Sequence, residues 1–330
     1  MLSRLRATAA ISTALLIAAG ASACTSASPS AEAGGAESGG TTTLRVTSLS
    51  LCNELSLYAL DKGIFSKHGI DVKLVNVQSG SAGIAALQGG STDVAFVSPQ
   101  ALLTAIQEGV DMKIISDGGE TTKDSQGIIV NNSSGIAGPA DLQGKTIAVN
   151  DLGGTIVTLI EAWIQAATGQ KSTAKFVALG FADIEPAVEN GKVDAGAVTA
   201  ASVQKITASG KGKSIGNPTF EQVGATPNAL YAVTSSWLSK NPKAAEKFVA
   251  AMQEAADAAK QPANNTEKFA ILSKYCKTPA ETLTQVAEIA YSGYIDMKAF
   301  DNAVQQFKKA GVLKPEFDAA AAVPEFARAK

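Results

Sequence analysis

Short apolar runs of extended character alternate with amphipathic stretches along the first two thirds of this chain. The runs at Leu44–Thr47, Val72–Val77, Val94–Val97, Lys113–Ser116, Gly127–Val130, Thr146–Val149, Lys175–Ala178, Ala195–Val198 and Leu230–Val233 predict strands. Between most of them the apolar positions shift to helical spacing. In "TIVTLIEAWIQAAT", for example, Ile156, Leu159, Ile160 and Trp163 share one face. This alternation predicts parallel sheets with right-handed crossovers, arranged as two doubly wound α/β lobes. From Asn241 onward the pattern is helical only.

One strand–helix–strand unit is written twice. "ALQGGSTDVAFVS" from Ala86 overlays "AVENGKVDAGAVT" from Ala187, with Gly90 on Gly191, Asp93 on Asp194 and Ser98 on Thr199. Each glycine suits the left-handed residue that ends a helix, and each aspartate opens the next strand. Each strand then delivers a hydroxyl to its carboxyl end, where ligands sit in open α/β sheets. Two facing lobes would set Ser98 and Thr199 on opposite walls of one cleft. Capping of the helices that follow is the competing role, and the two are compatible.

The N-terminus predicts an address. Residues 1–23 read as a signal peptide, with Arg4 and Arg6 before an apolar run too short to span a bilayer. "ASAC" resembles the bacterial lipoprotein box, making Cys24 the acylated first residue; ordinary cleavage with a free Cys24 thiol is the alternative. Residues 24–42, rich in Ser, Gly and Ala, predict a flexible tether. Removing the two leader arginines takes the net charge from −2 to −4, which argues against a nucleic-acid partner. Cys52 and Cys276 remain, either bridged or as two partly buried thiols. A single histidine, His68, at a predicted helix end, leaves no His/Cys constellation for catalysis or a metal site, and no cofactor motif is present.

"DKGIFSKHGIDVKLVNVQSGSAGIAALQGGSTDVAFVS" (Asp61 to Ser98), "GPADLQGKTIAVNDLGG" (Gly138 to Gly154) and "AVENGKVDAGAV" resemble the solute-binding proteins of bacterial ABC importers. The subset is the one serving nitrate, sulfonates, taurine and thiamine-pyrimidine precursors. The resemblance implies a type II periplasmic-binding-protein-like fold. It implies a two-lobed clamp that closes on a small solute and hands it to ABC permease subunits driven by a cytoplasmic ATPase; with no catalytic constellation in the chain, a non-enzymatic monomer is expected. Anchoring by a lipid on the extracytoplasmic face of the cell membrane agrees with such a role. A sensor or adhesion module without transport, or a pyrimidine-synthase-like enzyme of the same fold, are the alternatives.

Within that frame the first lobe spans 43–130, the second 131–228, and 229–330 returns to the first lobe with the C-terminal helices. Hinges are expected near Gln126–Asn131 and Asn228–Thr234. The strand-end rule places Cys52, Asn53, Glu54, Ser79, Gly80, Ser81, Ser98, Pro99, Gly119, Glu120, Asn150, Asp151, Gly153, Gly154, Thr155, Thr199 and Asn228 in the cleft. "NDLGGT" stands out, because its glycines admit a close backbone approach and Thr155 opens a helix whose free N–H groups favour an anion or carbonyl oxygen. After the leader only Arg45 and Arg328 remain, neither placed for a bidentate clamp, so a multiply charged anion is disfavoured. An inward Glu54, Glu120 or Asp151 would favour an amine or ring N–H. The candidates are therefore a sulfonate- or taurine-like zwitterion, or an aminopyrimidine-like solute able to stack on Tyr58 or Phe181.

Overall fold

The computed structural model describes residues 41–154, 156–286 and 289–330. The signal peptide, Cys24, most of the tether and Thr155 lie outside the described residues.

Among the described residues ten strands form two sheets. In the first, β1 (Thr42–Ser48) pairs in parallel with β2 (Ile70–Asn76). A parallel bridge from Val46 to Val94 joins them to β3 (Ala95–Val97). The sheet is completed by β4 (Met112–Asp117) and by β10 (Leu230–Thr234), which lies between β3 and β4 and runs antiparallel to both. The second sheet contains β5 (Gln126–Asn131), β6 (Thr146–Val149), β7 (Lys175–Ala178), β8 (Ala195–Thr199) and β9 (Gly212–Ser214), in the order β7-β6-β8-β5-β9. Strand for strand this matches β2-β1-β3-β10-β4, so the repeat in the sequence is a repeat of topology.

The repeated residues act alike. Gly90 and Gly191 have φ of 70° and 63°, a backbone region open to glycine because it lacks a Cβ. Asp93 Oδ2 accepts from the backbone N–H of Arg45 at 2.8 Å, and Asp194 Oδ2 accepts from that of Thr146 at 2.8 Å. Asp93 thus clips β3 to β1, and Asp194 clips β8 to β6. Arg45 spends its guanidinium on Asp93 at 2.8–2.9 Å, away from any cleft.

Three expectations need correction. The sheets are mixed rather than parallel, because β5 and β10 enter their lobes from the crossings and run against their neighbours. Strand β9 was not predicted, since "GKS" carries no apolar alternation. The hinge segments expected at Gln126–Asn131 and Asn228–Thr234 are for the most part strands inside the second and first sheets. The boundary expected after residue 130 therefore falls within β5, and the crossings are 118–125 and 215–229.

Both sheets are covered on both faces. On one side of the first, helices Leu55–Asp61 and Pro242–Ala259 bury Tyr58, Phe248 and Met252 against Phe65 and Tyr231. Phe248 stacks on Phe65 and meets Tyr231 edge-on, with ring centroids 5.4 Å apart in both pairs, geometries that add to simple burial. Alanines 244, 245, 251, 255, 256 and 259 are also buried on helix Pro242–Ala259, and their small side chains bring its backbone close to its neighbours. The opposite face holds Leu102, Leu103, Phe300 and Phe307. In the second lobe Trp163 and Ile164 of helix Ile156–Thr168 cover one face, while Ile184, Val188 and Ile206 cover the other. Every one of these core clusters lies at or beyond Leu44.

Cys52 and Cys276 form a disulfide with Cα atoms 5.1 Å apart, across a sequence separation of 224 residues. It ties the loop after β1 to the end of helix Asn265–Cys276.

Candidate functional site

A cavity of about 120 Å³ opens where the carboxyl ends of the two sheets face each other. The first lobe contributes Leu49, Leu51 and Asn53 from the loop after β1, Gly80 from the start of helix Gly80–Gln88, and Ser98, Pro99 and Gln100 after β3. From the second come Asn150, Asp151 and Gly154 after β6, Phe181 at the start of helix Phe181–Glu189, and Thr199 at the end of β8. The crossings supply Thr121, Ser125, Asn217, Thr219, Thr226 and Asn228.

Ser98 and Thr199 both line this space, one from each lobe, at the N-cap positions of helices Pro99–Gln107 and Ala200–Ala208. Neither side chain makes a capping hydrogen bond, so capping does not consume the hydroxyls. Two further polar atoms are buried without a partner at this site, Asn53 Oδ1 and Gln100 Nε2. An unpaired buried donor or acceptor costs about 1–3 kcal/mol, which a solute offering the complementary group would recover.

Among the described lining residues there is no lysine, arginine or histidine, and Asp151 is the one charged group. Its carboxylate is engaged: Oδ1 accepts from Gly153 N at 2.9 Å, and Oδ2 accepts from Ser81 N at 3.0 Å and Ser81 Oγ at 2.6 Å. Ser81 belongs to the first lobe and Asp151 to the second.

Several residues expected in the cleft lie elsewhere. Glu54 is fully buried beneath the loop it was expected to line, accepting from Ser48 Oγ (3.0 Å), Leu49 N (3.2 Å), Leu51 N (3.4 Å) and Ser56 Oγ (3.1 Å). Burial pushes its carboxyl up to about 7, against the opposing pull of those hydrogen bonds. Glu54 therefore shapes the cleft from below. Ser79 caps helix Gly80–Gln88 by accepting from Ala82 N at 3.2 Å. Ser81 and Gly153 sit beside the cavity, on the Asp151 carboxylate. Gly119 and Glu120 are drawn away by pairing with the C-terminal segment: Glu120 N donates to Ala290 O at 2.9 Å, and a Cβ on Gly119 would stand 2.7 Å from the same oxygen. Cys52 lines a second, smaller cavity of about 20 Å³ that shares Asn53 and Thr199 with the first, and its sulfur is held in the disulfide. Tyr58 is a core residue. His68 ends the helix Ile64–Lys67 and its Nε2 lies 2.8 Å from Glu254 Oε2.

The sequence reading missed Leu49, Gln100 and, in the two crossings, Thr121, Ser125, Asn217, Thr219 and Thr226. Strand-end reasoning could have reached Gln100, two residues beyond Ser98. Thr121, Ser125, Asn217 and Thr219 belong to segments whose place in the cleft depends on β5 and β10 being antiparallel, which no local pattern signals.

Structural comparison finds the alkanesulfonate-binding protein SsuA from Xanthomonas axonopodis pv. citri at a TM-score of 0.70 and 18% identity, covering 86% of this chain and 99% of that one. The periplasmic nitrate-binding protein NrtA from Synechocystis PCC 6803 also scores 0.70, at 19% identity over 85% and 84% of the two chains. The desulfurization enzyme DSZB is more distant, at 0.59 and 15% identity over 87% and 97%. At such identities the likeness establishes the fold, which is that of periplasmic binding proteins. A search of the curated proteins returned no match. Residues 55–265, well over half of the chain, match the family described as NMT1/THI5 like, and the chain belongs to that family.

Proposed function

We propose that this protein is the extracytoplasmic solute receptor of an ABC importer, closing its two lobes on a small polar organic solute and delivering it to a membrane permease. A lipid on Cys24 would keep it beside that permease. The observation that carries this reading is the cavity between the carboxyl ends of two like sheets, with the uncapped hydroxyls of Ser98 and Thr199 on opposite walls. The ligand-binding set proposed is Asn53, Gly80, Ser98, Pro99, Gln100, Asn150, Gly154, Thr199 and Asn228. A lining of amides and hydroxyls supports binding over acid–base chemistry. With no cationic side chain among the described lining residues, it also favours the aminopyrimidine-like solute over the sulfonate-like one. The unpartnered Asn53 Oδ1 would accept a solute N–H, and Gln100 Nε2 would donate to a ring nitrogen or carbonyl.

The test is a thermal-shift panel on the soluble chain from Thr42 onward, containing an aminopyrimidine, taurine, aliphatic sulfonates, nitrate, bicarbonate and free amino acids. A ligand at a hundred times its dissociation constant adds about 2.7 kcal/mol. A clear rise with one class is expected. No rise with any, together with native mass spectrometry showing no co-purified small molecule, would overturn the receptor reading.

A further inference from the structure

The contact between Asp151 and Ser81 joins the lobes directly. Ser81 is the second residue of helix Gly80–Gln88, where backbone N–H groups have no partner inside the helix. Within its own lobe the cap is partial, Ser79 serving the N–H of Ala82. The N–H of Ser81 and its hydroxyl are served instead by one carboxylate oxygen from the opposite lobe, at 3.0 and 2.6 Å. Gly153 N holds the other oxygen at 2.9 Å, which fixes the carboxylate's orientation towards Ser81. The glycines on this rim leave room for the approach: a Cβ on Gly153 would stand 3.4 Å from Ser81 Oγ, and one on Gly180 2.8 Å from Gln78 Oε1 of the first lobe. On another part of the interface Gln204 Nε2 donates to Gln285 Oε1 at 3.0 Å.

We propose that Asp151 is a latch that closes the lobes without a solute, and that its carboxylate contacts Ser81 rather than cargo. The inference rests on the two-lobed clamp proposed above. Its consequence is that the solute-free protein populates the closed state, so that cargo completes closure instead of driving all of it. An acid lining a cleft would ordinarily be assigned to the ligand. Here both its oxygens are taken, and the solute meets amides and hydroxyls.

The test is small-angle scattering on the solute-free chain from Thr42 onward, which retains every core cluster, comparing wild type with Asp151→Ala, Ser81→Ala and the double variant. Two charge-assisted hydrogen bonds at a partly exposed rim should shift the closed-to-open ratio about tenfold, or about 1.4 kcal/mol. Asp151→Ala, which removes both hydrogen bonds, is expected to scatter as a more open molecule, Ser81→Ala, which leaves the backbone N–H bond in place, to move less far in the same direction, and the double variant to be no more open than Asp151→Ala. Far-UV circular dichroism identifies a variant that fails to fold, and Ser81→Gly with Asp151→Asn then supplies the second pair. Identical scattering from wild type and variants, including a wholly open wild type, would overturn the latch. Identical solute-free scattering together with compaction on adding a panel solute would leave the receptor reading standing while the latch fell.

Discussion

Removing the disulfide by the paired substitution Cys52→Ser and Cys276→Ser should lower stability by an amount set by how much chain the bridge encloses. The separation is 224 residues, more than half of the sequence. In the loop-entropy description the unfolded chain gains about 2.1 + 1.5R ln n, or about 18 cal/mol/K, which is about 5 kcal/mol at 25 °C. Measured losses for native bridges run at about 2–5 kcal/mol, so about 3–5 kcal/mol is expected. With unfolding entropy near 2.1 cal/mol/K per residue over about 290 residues, the melting temperature should fall by about 5–8 °C. Calorimetry on the soluble chain measures this, and reductant provides the control: it should lower the wild type by a similar amount and leave the double variant unmoved. A double variant melting within about 1 °C of wild type would refute the reasoning, as would an equal response of both proteins to reductant. The bridge also holds the loop carrying Leu51 and Asn53, so the variant should bind solute more weakly even at temperatures where it is fully folded.

Burial raises the carboxyls of Glu54 and Asp117 to about 7 from ordinary values of 4.5 and 3.8. Between those limits the folded chain holds protons that the unfolded chain has released. Stability is therefore whole at low pH and falls as pH rises towards about 7, by about 1.4 kcal/mol per unit for each group. Urea midpoints should decline from pH 5 to 7.5, and Glu54→Gln should remove roughly half of that slope; a flat wild-type profile would contradict it. A Cβ on Gly293 would stand 2.2 Å from the backbone nitrogen of Gln253, which cannot swing aside. Gly293→Ala should therefore cost about 3 kcal/mol in denaturant unfolding, at the upper end of overpacking losses, and a loss below 1 kcal/mol would show that the helix yields. Gly154 lines the cavity. Gly154→Trp should abolish solute-induced stabilisation with little change in the melting temperature of the solute-free protein, whereas retained binding would move the site.

What the sequence made legible was local. Helix ends at Gly90 and Gly191, the clipping aspartates and the paired hydroxyls are each written within a dozen residues, and the repeat doubles the signal. Partnership across long separations was not legible. The antiparallel placement of β10 between β3 and β4, and the pairing of Glu120 with Ala290, depend on where distant segments meet. Glu54 shows the same limit at the site, for its position after a strand was read correctly while its inward turn depends on the Ser48 and Ser56 hydroxyls and on the core above. Asp151 was found among the cleft residues, but its partner in the other lobe was not foreseeable from either segment alone.

The position of β10 also sets an order of events for a chain made from its N-terminus. Strands β3 and β4 have no ladder with each other; each pairs with β10, which begins at Leu230, long after β4 ends at Asp117. The second sheet, by contrast, is complete once Ser214 has been made. The lobe that is started first must therefore wait, the place between β3 and β4 unfilled, while the later lobe assembles in the interval. A truncation between Ser214 and Leu230 would leave the second sheet complete but the first without the strand that joins β3 to β4, and the exposed edges of β3 and β4 are where such a fragment would aggregate.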